Sequence, residues 1–95
     1  MAAAGSIRVH VPSMLRECCG GVSELSLAAP SVRAALGELE QRYPSLYRSV
    51  CYENGAVRRH VSLFVNVDHI RDRQGLDTPL LPGDVVTILP AVSGG

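Results

Sequence analysis

The stretch Leu81-Pro82-Gly83-Asp84-Val85-Val86-Thr87-Ile88-Leu89-Pro90-Ala91-Val92-Ser93-Gly94-Gly95 holds a turn, a strand and a run of small residues in immediate succession. Proline presets φ for the second position of a tight turn and glycine supplies a positive φ at the third, so the chain reverses at residues 81–84. Val85 to Leu89 then reads as a strand, with Val86 and Ile88 toward a core. The residues after it lead to Gly94-Gly95. A pair without side chains can thread a narrow channel with its carboxylate leading, and five extended residues reach roughly 17 Å. The same ending also reads as a chain terminus that nothing ties down.

Moving back from that strand, residues 68–80 are polar and broken by Gly75 and Pro79, leaving room for at most a short edge strand around Ile70. Val61 to Val67 is the most strand-like stretch, with Val61, Leu63, Val65 and Val67 on one face and Ser62, Phe64 and Asn66 on the other. Between Ser45 and Arg59 the pattern is irregular, with Asn54-Gly55 as a turn signal, and reads as a surface excursion with one short helical turn. Val32, Leu36, Leu39 and Tyr43 fall at helical spacing, with Ser31 as the N-cap and Pro44 closing the helix. Ser6 to Val11 alternates Ile7, Val9 and Val11 with Arg8 and His10. Val22 to Ala28 puts Leu25 and Leu27 on a shared face, so these two runs form a hairpin with a long connection through Met14, Leu15, Arg16 and Cys18-Cys19-Gly20-Gly21. The fold class is α+β, a small mixed sheet crossed by one main helix, with the first and last strands side by side in the middle.

At 95 residues the chain is one domain with a single modest core. Formal charge is balanced, which removes the basic footprint that phosphate-backbone recognition needs, so no nucleic acid is expected as a partner. No apolar run approaches a membrane span, no signal segment opens the chain, and a cytoplasmic location is the default expectation. Every Lys/Arg cation is Arg; without Lys the protein has no side-chain amine to be acylated. The three cysteines, Cys18, Cys19 and Cys51, make no disulfide framework and read as reduced thiols.

The closing block, together with Phe64-Val65-Asn66 and Val11-Pro12-Ser13-Met14-Leu15-Arg16, resembles the ubiquitin-like β-grasp sulfur carriers of the MoaD/ThiS family, nearest to the CysO-type branch that carries sulfur for cysteine synthesis. Ser93, where many relatives have alanine or another small residue, is a mild departure. The resemblance implies a carrier without catalytic activity of its own. Gly95 is the sulfur-carrying residue, adenylated by an E1-like enzyme that uses ATP and Mg²⁺ and then converted to a thiocarboxylate, and no cofactor is bound by the carrier itself. Val92, Ser93 and Gly94 are the residues that thread the partner's channel. Residues 1–90 are the β-grasp domain and 91–95 a flexible tail, which as encoded needs no maturation protease. The sulfur acceptor implied by the nearest branch is a pyridoxal-phosphate cysteine synthase; molybdopterin, thiamin and secondary-metabolite pathways, conjugation of Gly95 to a protein lysine, and a plain interaction domain with an inert end stay open.

The remaining residues divide by the same logic. Phe64, Thr87 and Leu89 face away from the helix if Val86 and Ile88 face the core, and the exposed side of a β-grasp sheet docks the activating enzyme; the bland reading is isolated apolar residues on a surface. Adjacent Cys18 and Cys19 do not make half of a tetrahedral zinc set, and Cys51 reads as a packed small residue. His10, His60 and His69 have no mutual spacing that builds a hydrolase or metal site. Glu38 and Glu40, two apart on a helix, lie on different faces, and Arg58-Arg59 reads as a short wet charge run.

Overall fold

The computed structural model describes residues 6–90. Its sheet is mixed and five-stranded, formed by β1 (Ser6–His10), β2 (Glu24–Ala28), β3 (Val61–Val65), β4 (Asp68–His69) and β5 (Val85–Pro90) in the order β2-β1-β5-β3-β4. β1 and β5 run parallel at the centre, with Val9 opposite Val86, while the other neighbours are antiparallel. The expected central pairing is therefore present. Alternation follows directly: Ile7, Val9, Leu25, Leu27, Leu63, Val65, Val86 and Ile88 are buried on one face, and their chain neighbours are not.

The buried face is covered by α1 (Val32–Arg42) and α2 (Pro44–Val50). Ser31 caps α1 as its position predicts, its hydroxyl accepting from the Ala34 amide at 3.1 Å, and Val32, Ala35, Leu36 and Leu39 face the sheet. Pro44 does more than stop α1. It occupies the first turn of α2, where a missing N–H costs nothing, so the excursion expected after Ser45 begins as a second helix with Leu46 and Val50 fully buried. Asn54-Gly55 does turn the chain, with the Asn54 side chain accepting from the Ala56 amide at 3.0 Å. The loop expected through Met14 to Arg16 is wound into a 3-10 helix over Ser13–Cys19.

Two further expectations are corrected. Val67 does not continue the core face of β3; it is 89% exposed. The strand ends at Val65 because Asn66 adopts φ +57°, donates its amide to the Val85 carbonyl at 2.7 Å and accepts from the Val85 amide through Oδ1 at 3.1 Å. The chain then folds straight back, so the edge strand is Asp68–His69 and Ile70 lies beyond it, buried in a 3-10 turn that plugs the end of the core.

The turn at 81–84 fastens the centre of the sheet. Gly83 has φ +91°, the Asp84 amide donates to the Leu81 carbonyl at 3.0 Å, and the Asp84 carboxylate accepts from the Leu81 amide at 2.9 Å and the Asn66 side chain at 3.1 Å. Gly83 N–H reaches the Ser6 carbonyl at 2.9 Å and Arg8 N–H the Asp84 carbonyl at 3.0 Å, which sets the register of β5 on β1 before the ladder begins.

Because Leu46 is fully buried between α2 and the rest of the core, Leu46→Ala is expected to cost about 2–5 kcal/mol in urea unfolding. A change below about 1 kcal/mol would mean that α2 is peripheral and not part of the core.

Candidate docking face and its neighbours

With one face of the sheet under the helices, the other stands open. Register places side chains on it in rows. His10 pairs with Glu24 on one side and Thr87 on the other, Thr87 with Phe64, and Phe64 with His69, so one row, Glu24-His10-Thr87-Phe64-His69, crosses all five strands. Leu89 lies opposite Ser62 in an adjacent row and is 48% exposed. Phe64, Thr87 and Leu89 thus share the open face, as their alternation predicts.

The row has a defined chemistry. The Phe64 and His69 rings meet edge to face, 5.1 Å between centroids at 66°, which fixes the phenyl ring against the sheet. His69 is held in turn, its Nδ1 accepting from the Arg71 amide at 2.9 Å. At the other end His10 Nε2 lies 2.9 Å from Glu24 Oε2, and Arg8 Nε lies 3.9 Å from Glu24 Oε1. Phe64 and Leu89 give the face apolar surface beside Thr87 and Ser62, and its rim toward β2 carries the Arg8 and Glu24 charges. Sequence reasoning did not gather His10 and His69 to this patch, because only the strand register aligns them.

No group of three His, Cys, Asp or Glu side chains that could hold a metal exists among the described residues. The thiols are free and mostly withdrawn. Cys19 is buried, its Sγ 3.4 Å from the Arg16 carbonyl and 3.6 Å from that of Val22, while half-buried Cys18 lies 3.9 Å from the Ser49 hydroxyl. Burial, with Cys18 alongside, raises the Cys19 pKa, and burial pushes Cys51 up to about 11. Cys51 is 1% exposed, in keeping with a packed residue. Glu38 is half-buried and Glu40 exposed on α1, and neither makes an ion pair among the described residues. Val92, Ser93, Gly94 and Gly95 lie outside the described residues, as does the proposed boundary after residue 90. No described helix is long and apolar enough to cross a membrane.

Comparison with known proteins agrees with this geometry. The ThiS family model matches residues 9–95. The sulfur carrier protein CysO of Mycobacterium tuberculosis is 34% identical over 92 residues, covering 95% of this chain and 99% of the relative. The crystal structure of that CysO superposes with a TM-score of 0.82 at 33% identity, over 90% of this chain and 99% of the other. The CysO-containing crystal structure of the Amycolatopsis orientalis BexX/CysO complex gives a TM-score of 0.85 at 29% identity, over 94% and 99%. The small archaeal modifier protein 1 of Methanosarcina acetivorans also gives 0.85 at 29% identity, over 99% and 100%.

Native alkylation near pH 8 is expected to label Cys18 well before Cys19 or Cys51, with Cys51 reacting only on unfolding, because the thiolate is the reactive form. The folded state holds the Cys51 proton more tightly than the unfolded chain does. Its contribution to stability is therefore complete below pH 9.0 and is lost as pH rises toward about 11. Urea titrations across that window check the slope; stability that increases with pH there contradicts it.

Proposed function

We propose that this chain, which belongs to the ThiS family, is a sulfur carrier whose Gly95 carboxylate is adenylated and then converted to a thiocarboxylate. The observation that carries the reading is the match of the family along residues 9–95, which includes the Gly94-Gly95 end.

The chemistry follows from the terminus. A C-terminal carboxylate with a pKa of about 3.5 is ionised in the cell and is a poor electrophile. In an E1-like partner it attacks the α-phosphorus of ATP, held with Mg²⁺, and pyrophosphate leaves. Sulfide, or its equivalent, then adds to the carbonyl of the acyl-adenylate and AMP departs with the C–O bond electrons, leaving the thiocarboxylate. Phe64, Thr87 and Leu89 seat the carrier on the partner, Val92, Ser93 and Gly94 thread its channel, and Gly95 alone reacts. A β-carbon at either glycine would crowd that channel. The carrier is thus a substrate of its partners and binds no cofactor itself.

The acceptor we assign is an activated serine-type substrate of a pyridoxal-phosphate cysteine synthase, supported by the CysO relative. Delivery of sulfur to molybdopterin, thiamin or a secondary metabolite uses the same carrier. Likeness to the small archaeal modifier protein supports a second reading, conjugation of Gly95 to a lysine of another protein.

Intact-mass measurement after co-expression with an adenylating enzyme and a sulfur source is expected to show one oxygen of the full chain exchanged for sulfur. Adducts with the mass of a second protein support the modifier reading, and an unchanged mass rejects both. Gly95→Ala is expected to lower ATP–pyrophosphate exchange sharply with the fold intact; equal exchange rates would remove the steric argument. Leu89→Asp, at an exposed position, is expected to weaken the partner complex while shifting stability by less than about 1 kcal/mol; Phe64→Asp is expected to weaken the complex too, with a larger stability cost because its half-buried ring packs on His69, so its folding is checked by circular dichroism.

A further inference from the structure

The pole of the molecule where β5 ends contains a notch of about 430 Å³, walled by Met14, Leu15, Arg48, Arg58, His60 and Pro90. Three separate segments bring the other residues to Pro90. Met14 and Leu15 come from the 3-10 helix, Arg48 from α2, and Arg58 and His60 from the segment that enters β3. Val61 is the partner of Pro90 in the β3–β5 ladder, which ties that entering segment to the end of β5.

Its charge is one-sided. No carboxylate lines the notch, and among the described residues neither Arg48, Arg58 nor the adjacent Arg59 takes part in an ion pair. Arg58 is also held in place: its guanidinium stacks over Tyr52 at 4.8 Å and its Nε donates to the Arg48 carbonyl at 2.7 Å. Arg48 and His60 are exposed, and Met14, 61% exposed, adds an apolar rim. Two acids, Glu40 and Glu53, line a neighbouring cleft that shares Arg48 and Arg58 as its wall. A near-neutral protein has concentrated unpaired cations at one pole.

We propose that this notch receives an acidic segment of the adenylating partner, a loop or helix end carrying Asp or Glu beside an apolar residue that meets Met14. The assignment rests on the carrier reading above and names the partner chemistry that goes with it. Pro90 is a wall of the notch, so an enzyme that encloses residue 91 and those after it stands directly against Arg48, Arg58 and His60. A partner surface bearing cations there would be repelled at close range, and an acidic one attracted from beyond contact distance. The open sheet face supplies apolar seating, while the notch supplies orientation: together they fix which end of the carrier points at the active site.

The test uses the full chain and the recombinant E1-like adenylating enzyme of the same genome, assayed by ATP–pyrophosphate exchange at about 10 mM salt, where the Debye length is roughly 30 Å. Arg48→Glu/His60→Glu alters two exposed side chains for which no hydrogen bond is observed, and is expected to raise the KM for the carrier about tenfold or more, leave kcat within about twofold, and flatten the increase of KM with salt. Arg58→Gln, checked for folding by circular dichroism, is expected to move KM in the same direction. Arg33→Glu, on α1 and paired with Asp77, is the charge control and should leave KM unchanged. A KM for the double variant within about twofold of wild type, with its salt dependence kept, overturns the notch while the carrier reading stands. No exchange with the wild-type chain removes the carrier reading and the notch with it.

Discussion

The parallel pairing of β1 with β5 is the constraint on which the rest of this molecule depends. Parallel neighbours cannot be joined by a tight turn, so the intervening chain must leave the sheet, cross one face and return. Here it first turns back as β2, crosses as α1 and α2 and returns through β3 and β4 before β5, and the apolar stripes of the two helices have one surface to cover, the face that carries Ile7, Val9, Val86 and Ile88. The turn at 81–84 makes that pairing specific. Through Gly83 and Asp84 it bonds to Ser6 and Arg8, and through the Asp84 carboxylate to Asn66, so three strands are registered by one four-residue reversal. With β5 central, Pro90 arrives at a place determined by ladders on both sides of its strand.

Most of this architecture was legible because local chemistry and tertiary demand agreed. The Pro-Gly-Asp reversal, the Ser31 cap and the alternation in the first, third and last strands each have a local cause, and each is found in place. The misreadings arose where a residue serves two signals. Pro44 ends one helix and begins another, and only the burial of Leu46 and Val50 distinguishes a second helix from a wet loop. Val67 continues the alternation on paper, but Asn66 can adopt positive φ and exchange bonds with Val85, and that long-range gain breaks the pattern.

Residues of the site divide in the same way. Phe64, Thr87 and Leu89 were readable from period-two alternation alone, since facing away from a core is a local property. Their companions were not. That His10 and His69 fall in line with Thr87 and Phe64 depends on register across four strand pairs, and that Met14, Arg48, Arg58 and His60 surround Pro90 depends on how a 3-10 helix, α2 and a loop converge. Arg58 and Arg59, which look like an ordinary wet pair in the sequence, differ once the fold forms. One is pinned over Tyr52 and the other stays exposed.

A carrier of an activated acyl group faces a hazard that ordinary domains do not, because its own nucleophiles sit at the highest effective concentration relative to its own electrophile. An acyl-adenylate or thiocarboxylate at Gly95 would be open to attack by any nearby amine or thiolate of the same chain. The composition and the fold both reduce that risk. There is no lysine to offer a side-chain amine, and two of the three thiols are withheld, Cys19 and Cys51 being buried with their pKa values raised by that burial, which leaves half-buried Cys18 as the accessible one. A thiol that stays protonated is a poor nucleophile even when the carbonyl is activated. The cations near Pro90 fit the same requirement, because arginine guanidinium does not lose its proton in proteins and so presents positive charge without nucleophilicity. On the proposed chemistry, the choice of arginine throughout lets the body attract an acidic partner while staying inert toward the group it carries.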